Sequence, residues 1–167
     1  MSKLVYSVLA AAYPRRPREG IPQSGIDQAQ LYESIGHKEF ASDPRMQNTC
    51  ATRVSMALLA AGIHPAPGNL TIQAGRFAGL RIETNQQALS NFLRRRLGQP
   101  EVYKNGYDAW SRIKPRHGIV SFFHLHGGDW DPQGHIDLIC HDDHHRLACE
   151  GGHVYWQAVV CWFWACP

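Results

Sequence analysis

Gln47-Asn48-Thr49-Cys50-Ala51-Thr52-Arg53-Val54-Ser55-Met56-Ala57-Leu58-Leu59-Ala60-Ala61-Gly62 reads as a cysteine carried on the first turn of a helix. Asn48 or Thr49 supplies an N-cap. Val54, Ala57, Leu58 and Ala61 recur at the spacing of one helical face, and Gly62 is the residue expected just past the last turn. Unpaired backbone N–H groups and the positive end of a helix dipole favour thiolate over thiol, and the thiolate is the form that attacks a carbonyl. The same N–H groups could later hold an oxyanion. Taken alone, the stretch fits a small buried thiol better, because free cysteine is among the most buried residue types. The chemistry therefore depends on partners elsewhere in the chain.

Outward from that helix, 167 residues with 44% hydrophobic and 19% charged content suffice for one domain, 1–167, with a real core. A formal charge of +3 suits an anionic substrate or surface, and no nucleic-acid motif accompanies it. No run reaches the roughly 18 apolar residues of a membrane span, so no membrane insertion is expected. Residues 1–13 read as an amphipathic helix ended by Pro14 rather than a signal peptide, since only Lys3 precedes an apolar run that Tyr6 and Ser7 interrupt. Such a chain is expected to be made in the cytoplasm without an export signal. A Pro-, Arg- and Gly-rich loop over 14–25 and a short helix over 26–33 lead toward Cys50. Thr84 is the expected N-cap of a further helix with Leu89, Phe92, Leu93 and Leu97 on one face, and Arg94, Arg95 and Arg96 before Gly98 read as a solvated helix end.

From Gly118 the period changes to that of strands. Gly118–Leu125 is a strand-like run, His135–Cys140 alternates, a polar turn over 142–145 follows, Leu147–Glu150 begins a return strand, and Val154–Cys166 closes the chain with Trp- and Val-rich strand material. Helices first and then a meander of strands imply an α+β fold with an antiparallel sheet. Trp156, Trp162 and Trp164 read as sheet core.

A cysteine on a helix before the sheet and a histidine on a strand within it follow the chain order of papain-like hydrolases. His135 comes after Gly134 at the start of its strand, where it can be aimed at the helix start as the acid/base partner of Cys50. A third group should orient the far ring nitrogen. If the turn centres near Asp142 and Asp143, the residue facing His135 is at or near Glu150. Asp137 shares the face of His135 and is the next candidate, and Asp142 and Asp143 are weaker ones.

The histidines of 124–126 and 141–145, with Cys140 or Cys149, are of ligand type. They lack a recognised metal spacing and fall on a turn, so neither a metal nor any other cofactor is expected. Four cysteines crowd the end of the chain; Cys140 with Cys149 and Cys161 with Cys166 are possible pairs, and all five as reduced thiols is the alternative.

Gln47-Asn48-Thr49-Cys50-Ala51-Thr52-Arg53-Val54-Ser55, the later Gly134-His135-Ile136-Asp137-Leu138 and the terminal Val160-Cys161-Trp162-Phe163-Trp164 resemble the type VI secretion amidase effectors, specifically their fourth group. In that family the cysteine lies in an Asn-x-Cys-x-x-Arg-x-Ser signature opening a helix, and the histidine in a Gly/Asp-His-Ile-Asp-Leu strand. The resemblance implies a papain-like fold and a cysteine amidase that hydrolyses peptidoglycan stem peptides, typically between D-glutamate and meso-diaminopimelate. Cys50 would be the nucleophile and His135 the acid/base. It further implies delivery by a type VI secretion machine into the periplasm of a rival Gram-negative cell, and a cognate immunity protein as partner. Relatives carry an aspartate on the return strand as third residue. No aspartate stands at that offset here, and Glu150 takes the facing place in the register above. Two other readings stay open on the residues: a papain-like hydrolase of another amide, and a non-enzymatic binding module held by disulfides or metal.

Overall fold

The computed structural model describes residues 4–18, 24–128, 130–141 and 147–167. Five helices and seven strands follow in the order α1 Tyr6–Ala12, α2 Gln28–Ser34, α3 Cys50–Ala60, β1 Leu70–Thr71, β2 Arg81–Ile82, α4 Gln86–Leu97, β3 Glu101–Tyr103, α5 Gly106–Ile113, β4 Gly118–Phe123, β5 Gly134–His141, β6 Leu147–Cys149 and β7 Val160–Ala165. The expected α+β class holds, with helices first and an antiparallel sheet carrying His135.

The main sheet runs β3-β7-β4-β5-β6, all antiparallel. It is not the simple meander expected. β7 returns past β5 and β6 to pair with β4 on its other side, opposite β5, and β3 pairs with the far edge of β7. The strand material at the end of the chain is also shorter than expected, beginning at Val160 rather than Val154.

Alternation along the strands divides the core. Ile119, Ile136, Leu138 and Trp164 join Leu9, Val54, Ala57, Leu58, Leu89 and Leu93 of α1, α3 and α4 in one cluster. Val120, Phe122, Ile139, Cys149, Cys161 and Phe163 form a second cluster with Tyr103, Ala109 and Ile113 on the other face. Because both faces are covered, β4 is a nearly continuous apolar run rather than an alternating one. A third cluster packs Tyr32 and Ile35 with Leu59, Ile72 and Ile82, so the β1–β2 hairpin closes over the far side of α3. The helix is therefore buried almost all round. It is richer in small residues than a one-faced helix needs, and Ala51, Thr52 and Ser55 allow close neighbours on its other sides.

Helix ends follow their local chemistry. α3 stops at Ala61, and Gly62 takes a φ of 74° that costs glycine nothing. α4 begins one residue later than expected. Asn85 Oδ1 accepts from the Ala88 N–H at 2.9 Å, while the Thr84 hydroxyl is taken by Asn69 at 2.8 Å. Sequence patterning missed β3 and α5, where Asn105 caps a helix of only eight residues. Among the described residues no helix is long and apolar enough to cross a membrane.

Candidate active site

Cys50 is the first residue of α3 and is 2% exposed. Both expected cap residues are used, each for a second purpose. Asn48 Oδ1 accepts from the Cys50 N–H at 3.3 Å, and its Nδ2 donates to Gly134 O at 3.4 Å, tying the helix start to the start of β5. Thr49 is the N-cap by backbone position, but its hydroxyl accepts from Arg53 Nε at 2.9 Å and from Arg16 Nη2 at 3.2 Å instead of capping.

His135 and Asp137 alternate with Ile136 and Leu138, so they stand on the face of β5 away from the helical cluster. Among the described residues β6 pairs with β5 only over 139–141, which leaves the first half of β5 open on that side. Cys50 meets His135 there. His135 Nε2 donates to Asp137 Oδ2 at 3.1 Å, and the Cys50 side chain lies near enough to the ring to act on its charge. Burial alone would push the His135 pKa down. Hydrogen bonds to Asp137 and Cys50, and their negative charges, outweigh it and raise the value from 6.5 to about 9.

Asp137 is fully buried, and its carboxylate is held by backbone donors. The Leu138 N–H donates to Oδ1 at 2.8 Å, and the Gly151 N–H lies 3.0 Å from Oδ2 and 3.2 Å from Oδ1. Gly151 is required for this approach, since a Cβ there would overlap Asp137 Oδ2. The Tyr13 hydroxyl lies beside the same carboxylate without a completed hydrogen bond; burial first, and then the Asp137 charge, hold its pKa well above the usual value. The Tyr155 ring lies 5.0 Å from that of His135, with Phe122 stacked at 6.4 Å.

Glu150, expected opposite His135, is not there. A turn centred on Asp142 and Asp143 would have put Ile139 opposite Arg146, but the strands pair Ile139 with Cys149. Glu150 consequently lies beside Leu138, to whose carbonyl its N–H donates at 2.9 Å. Its carboxylate accepts from Tyr6 Oη at 3.2 Å and Arg15 Nε at 2.7 Å. Asp142 and Asp143 lie outside the described residues, as do His144 and His145. The structure thus brings Cys50, His135 and Asp137 together and sends Glu150 to a neighbouring ion pair.

The suggested cysteine pairs are contradicted by the sheet. Cys140 packs against the helical cluster while Cys149 belongs to the opposite one, and Cys166 and Cys161 are divided the same way. Of the histidines with ligand character, His124 Nδ1 is taken by Asp131 O at 2.6 Å and His126 Nδ1 by Asp131 Oδ2 at 2.9 Å. Among the described residues no group of three or more His, Cys, Asp or Glu is arranged to hold a metal ion.

Two residues of the cysteine stretch owe their place to positioning rather than to chemistry. Arg53 is 1% exposed, and its guanidinium donates to Thr49 Oγ1, to Pro14 O and, at 2.9 Å, to Ile26 O. Ser55 Oγ donates to Glu83 O at 2.8 Å and accepts from the Glu83 N–H at 3.2 Å. Arg53 fastens the N-terminal loop to α3, and Ser55 fastens the β2 end. A cavity of about 780 Å³ lined by Arg96, Arg116, His117, Trp164 and Pro167 lies at the other end of the sheet, by Ala165 rather than by His135, and contains none of the three site residues.

Against known proteins, the family described as type VI secretion system (T6SS), amidase effector protein 4 (Tae4) matches residues 46–164. A search of curated proteins finds no match. Among solved structures, the type VI effector Tae4 from Enterobacter cloacae is similar with a TM-score of 0.72 and 17% identity, over 100% of each chain. The Tae4–Tai4 effector–immunity complex from Salmonella Typhimurium gives a TM-score of 0.66 at 19% identity, over 99% of this chain and 100% of that one. At these identities the likeness is one of fold.

Proposed function

The chain belongs to the T6SS amidase effector protein 4 family, and from that premise we propose that Cys50, His135 and Asp137 form a cysteine-hydrolase triad that cuts peptidoglycan stem peptides, at the bond between D-glutamate and meso-diaminopimelate. As a type VI effector of this kind it is an antibacterial amidase delivered into a target cell, with the periplasm of a Gram-negative rival as its place of action. A cognate immunity protein of the Tai4 type, as seen bound to Tae4 in the structures from Enterobacter cloacae and Salmonella Typhimurium, is its natural partner.

The observation that carries the triad is the hydrogen bond of His135 to the buried Asp137 at 3.1 Å, with Cys50, at a helix start, near enough to raise the ring's pKa. The Cys50 thiolate adds to the glutamyl carbonyl carbon, and the electron pair of the C=O moves onto oxygen. Collapse of this intermediate breaks the C–N bond as His135 gives its proton to the leaving amine, leaving a thioester on Cys50. The neutral imidazole then takes a proton from water, whose oxygen adds to the thioester; the carboxylic acid leaves and the thiolate returns. Asp137 holds the ring in the orientation both halves need and stabilises the imidazolium. The raised pKa of His135 keeps that proton in place at neutral pH.

A defined muropeptide carrying L-Ala-γ-D-Glu-meso-diaminopimelate, incubated with the protein and analysed by mass, tests the bond. The reading expects a product ending in D-glutamate and a second beginning with diaminopimelate, and neither with Cys50→Ala. Cleavage at another bond would overturn the assignment of the substrate linkage.

A further inference from the structure

We propose that Arg16 sets substrate specificity by binding a free carboxylate on the acyl donor, so that the site selects amides whose acyl group carries its own anionic carboxylate. The proposal rests on the reading of Cys50 as nucleophile.

Residues 14–18 would be an unremarkable Pro- and Arg-rich loop if they were loose, but they are held from several sides. Pro14 O accepts from the buried Arg53 guanidinium, Arg15 Nε pairs with Glu150 at 2.7 Å, Arg15 O accepts from the Ile26 N–H at 2.9 Å, and the Arg18 N–H donates to Ser24 Oγ at 2.7 Å. Gly25 lies so close to the Arg15 and Arg16 backbone that a Cβ would overlap it. A cation on such a frame is placed rather than merely present.

Arg16 Nη2 reaches Thr49 Oγ1, the residue before Cys50, at 3.2 Å. Its charge also acts on Tyr155, whose ring lies 5.0 Å from that of His135. Arg16 therefore stands beside the helix start that carries Cys50, with its charge felt on the His135 side. Its neighbour Arg15 is neutralised by Glu150, whereas Arg16 has no carboxylate partner among the described residues. The nearby Arg53 is a second cation, and each makes the site more attractive to an anion. A guanidinium presents five N–H donors, and the bond to Thr49 leaves an edge able to take a carboxylate with two parallel hydrogen bonds. In a γ-linked glutamyl amide the α-carboxylate of the acyl donor is the group that fits: it is fixed to the acyl chain that Cys50 would hold, and it is absent from an ordinary α-linked amide of an apolar residue.

Two peptides that differ only in this group, one with the α-carboxylate of the γ-linked glutamate and one with the α-carboxamide, provide the test. Wild type should favour the carboxylate by about 10- to 100-fold in kcat/KM, the value of a charge-assisted pair in a partly buried site. Arg16→Gln should bring the ratio close to one, mainly by raising KM for the carboxylate peptide, and Arg16→Lys should retain an intermediate preference because it keeps the charge but not the fork. An unchanged ratio in Arg16→Gln, an equal loss on both peptides, or no preference in wild type would overturn the role of Arg16 while leaving the triad standing. Failure of wild type to cut either peptide would overturn the proposed function and this inference with it.

Discussion

His135 is 5% exposed and bonded to the Asp137 carboxylate, and Asp137 and Cys50 together hold its proton. The direction of the shift fixes the pH behaviour. With a folded value of about 9 against an ordinary 6.5, the protonated ring contributes stability fully below pH 6.5, and that contribution is lost as pH rises through 9. Denaturant unfolding should show stability falling across this window, and the component should vanish in His135→Gln. NMR titration should find the His135 pKa lowered by Cys50→Ala, since one of the two groups raising it is gone. Amide hydrolysis should decline above pH 9 as the leaving amine loses its proton donor. Two carboxylates separate orientation from bystander effects. Asp137→Asn should reduce kcat by on the order of 10²–10⁴-fold by leaving the ring in the wrong tautomer. Glu150→Gln, which removes the charge from the pair with Arg15 and weakens the contacts with Tyr6 and Cys140, should cost on the order of 1 kcal/mol of stability and leave most of kcat.

At the scale of elements, α3 is fastened at each side by a polar group that belongs to none of its apolar contacts. Arg53→Ala would take the donor from Pro14 O and Ile26 O and leave Thr49 Oγ1 only its bond from Arg16, and urea unfolding should show a loss on the order of 3 kcal/mol. Gly151→Ala acts differently. Its Cβ would push against Asp137 Oδ2, so, on the proposed role of Asp137 in orienting His135, activity should fall on the order of 10²-fold with far less change in stability. These elements also mark where the sequence was informative. Cys50 at the start of α3, Gly62 at its end and the alternation His135-Ile136-Asp137-Leu138 are local signals, and local signals survive folding. The pairing of β5 with β6 depends on a turn whose length no local pattern states, so counting from the turn places Glu150 opposite His135, whereas its neighbour in the sheet is Leu138. Arg53 carried no signal in hydropathy, since burying an arginine depends on carbonyls far away in sequence, and Arg16 carried none because its partner, the Thr49 hydroxyl, is equally remote. The Gly151-Gly152 pair, one residue beyond β6, was the available hint that a backbone must come close to something. α5 and β3 are short and flanked by polar residues, which leaves too little periodicity to detect.

For the molecule as a whole, the sheet is a divider with helices α1, α3 and α4 on one face and a second apolar cluster on the other. It keeps Cys140 apart from Cys149 and Cys161 apart from Cys166. Burial pushes the Cys161 thiol up to about 12 and that of Cys166 to about 11, so both are protonated and poor partners in thiol exchange. Peptide mapping under non-reducing conditions should find neither bridge. The same divider leaves one stretch of β5 open, and there the start of α3, the N-terminal loop and the segment after β6 converge on His135. The claim that this convergence is a wall-cutting centre is met most directly by incubating purified sacculi with the protein and separating the released muropeptides by chromatography. The account predicts new products with wild type and an unchanged profile with Cys50→Ala; equal digestion by Cys50→Ala, or none by wild type, would contradict it.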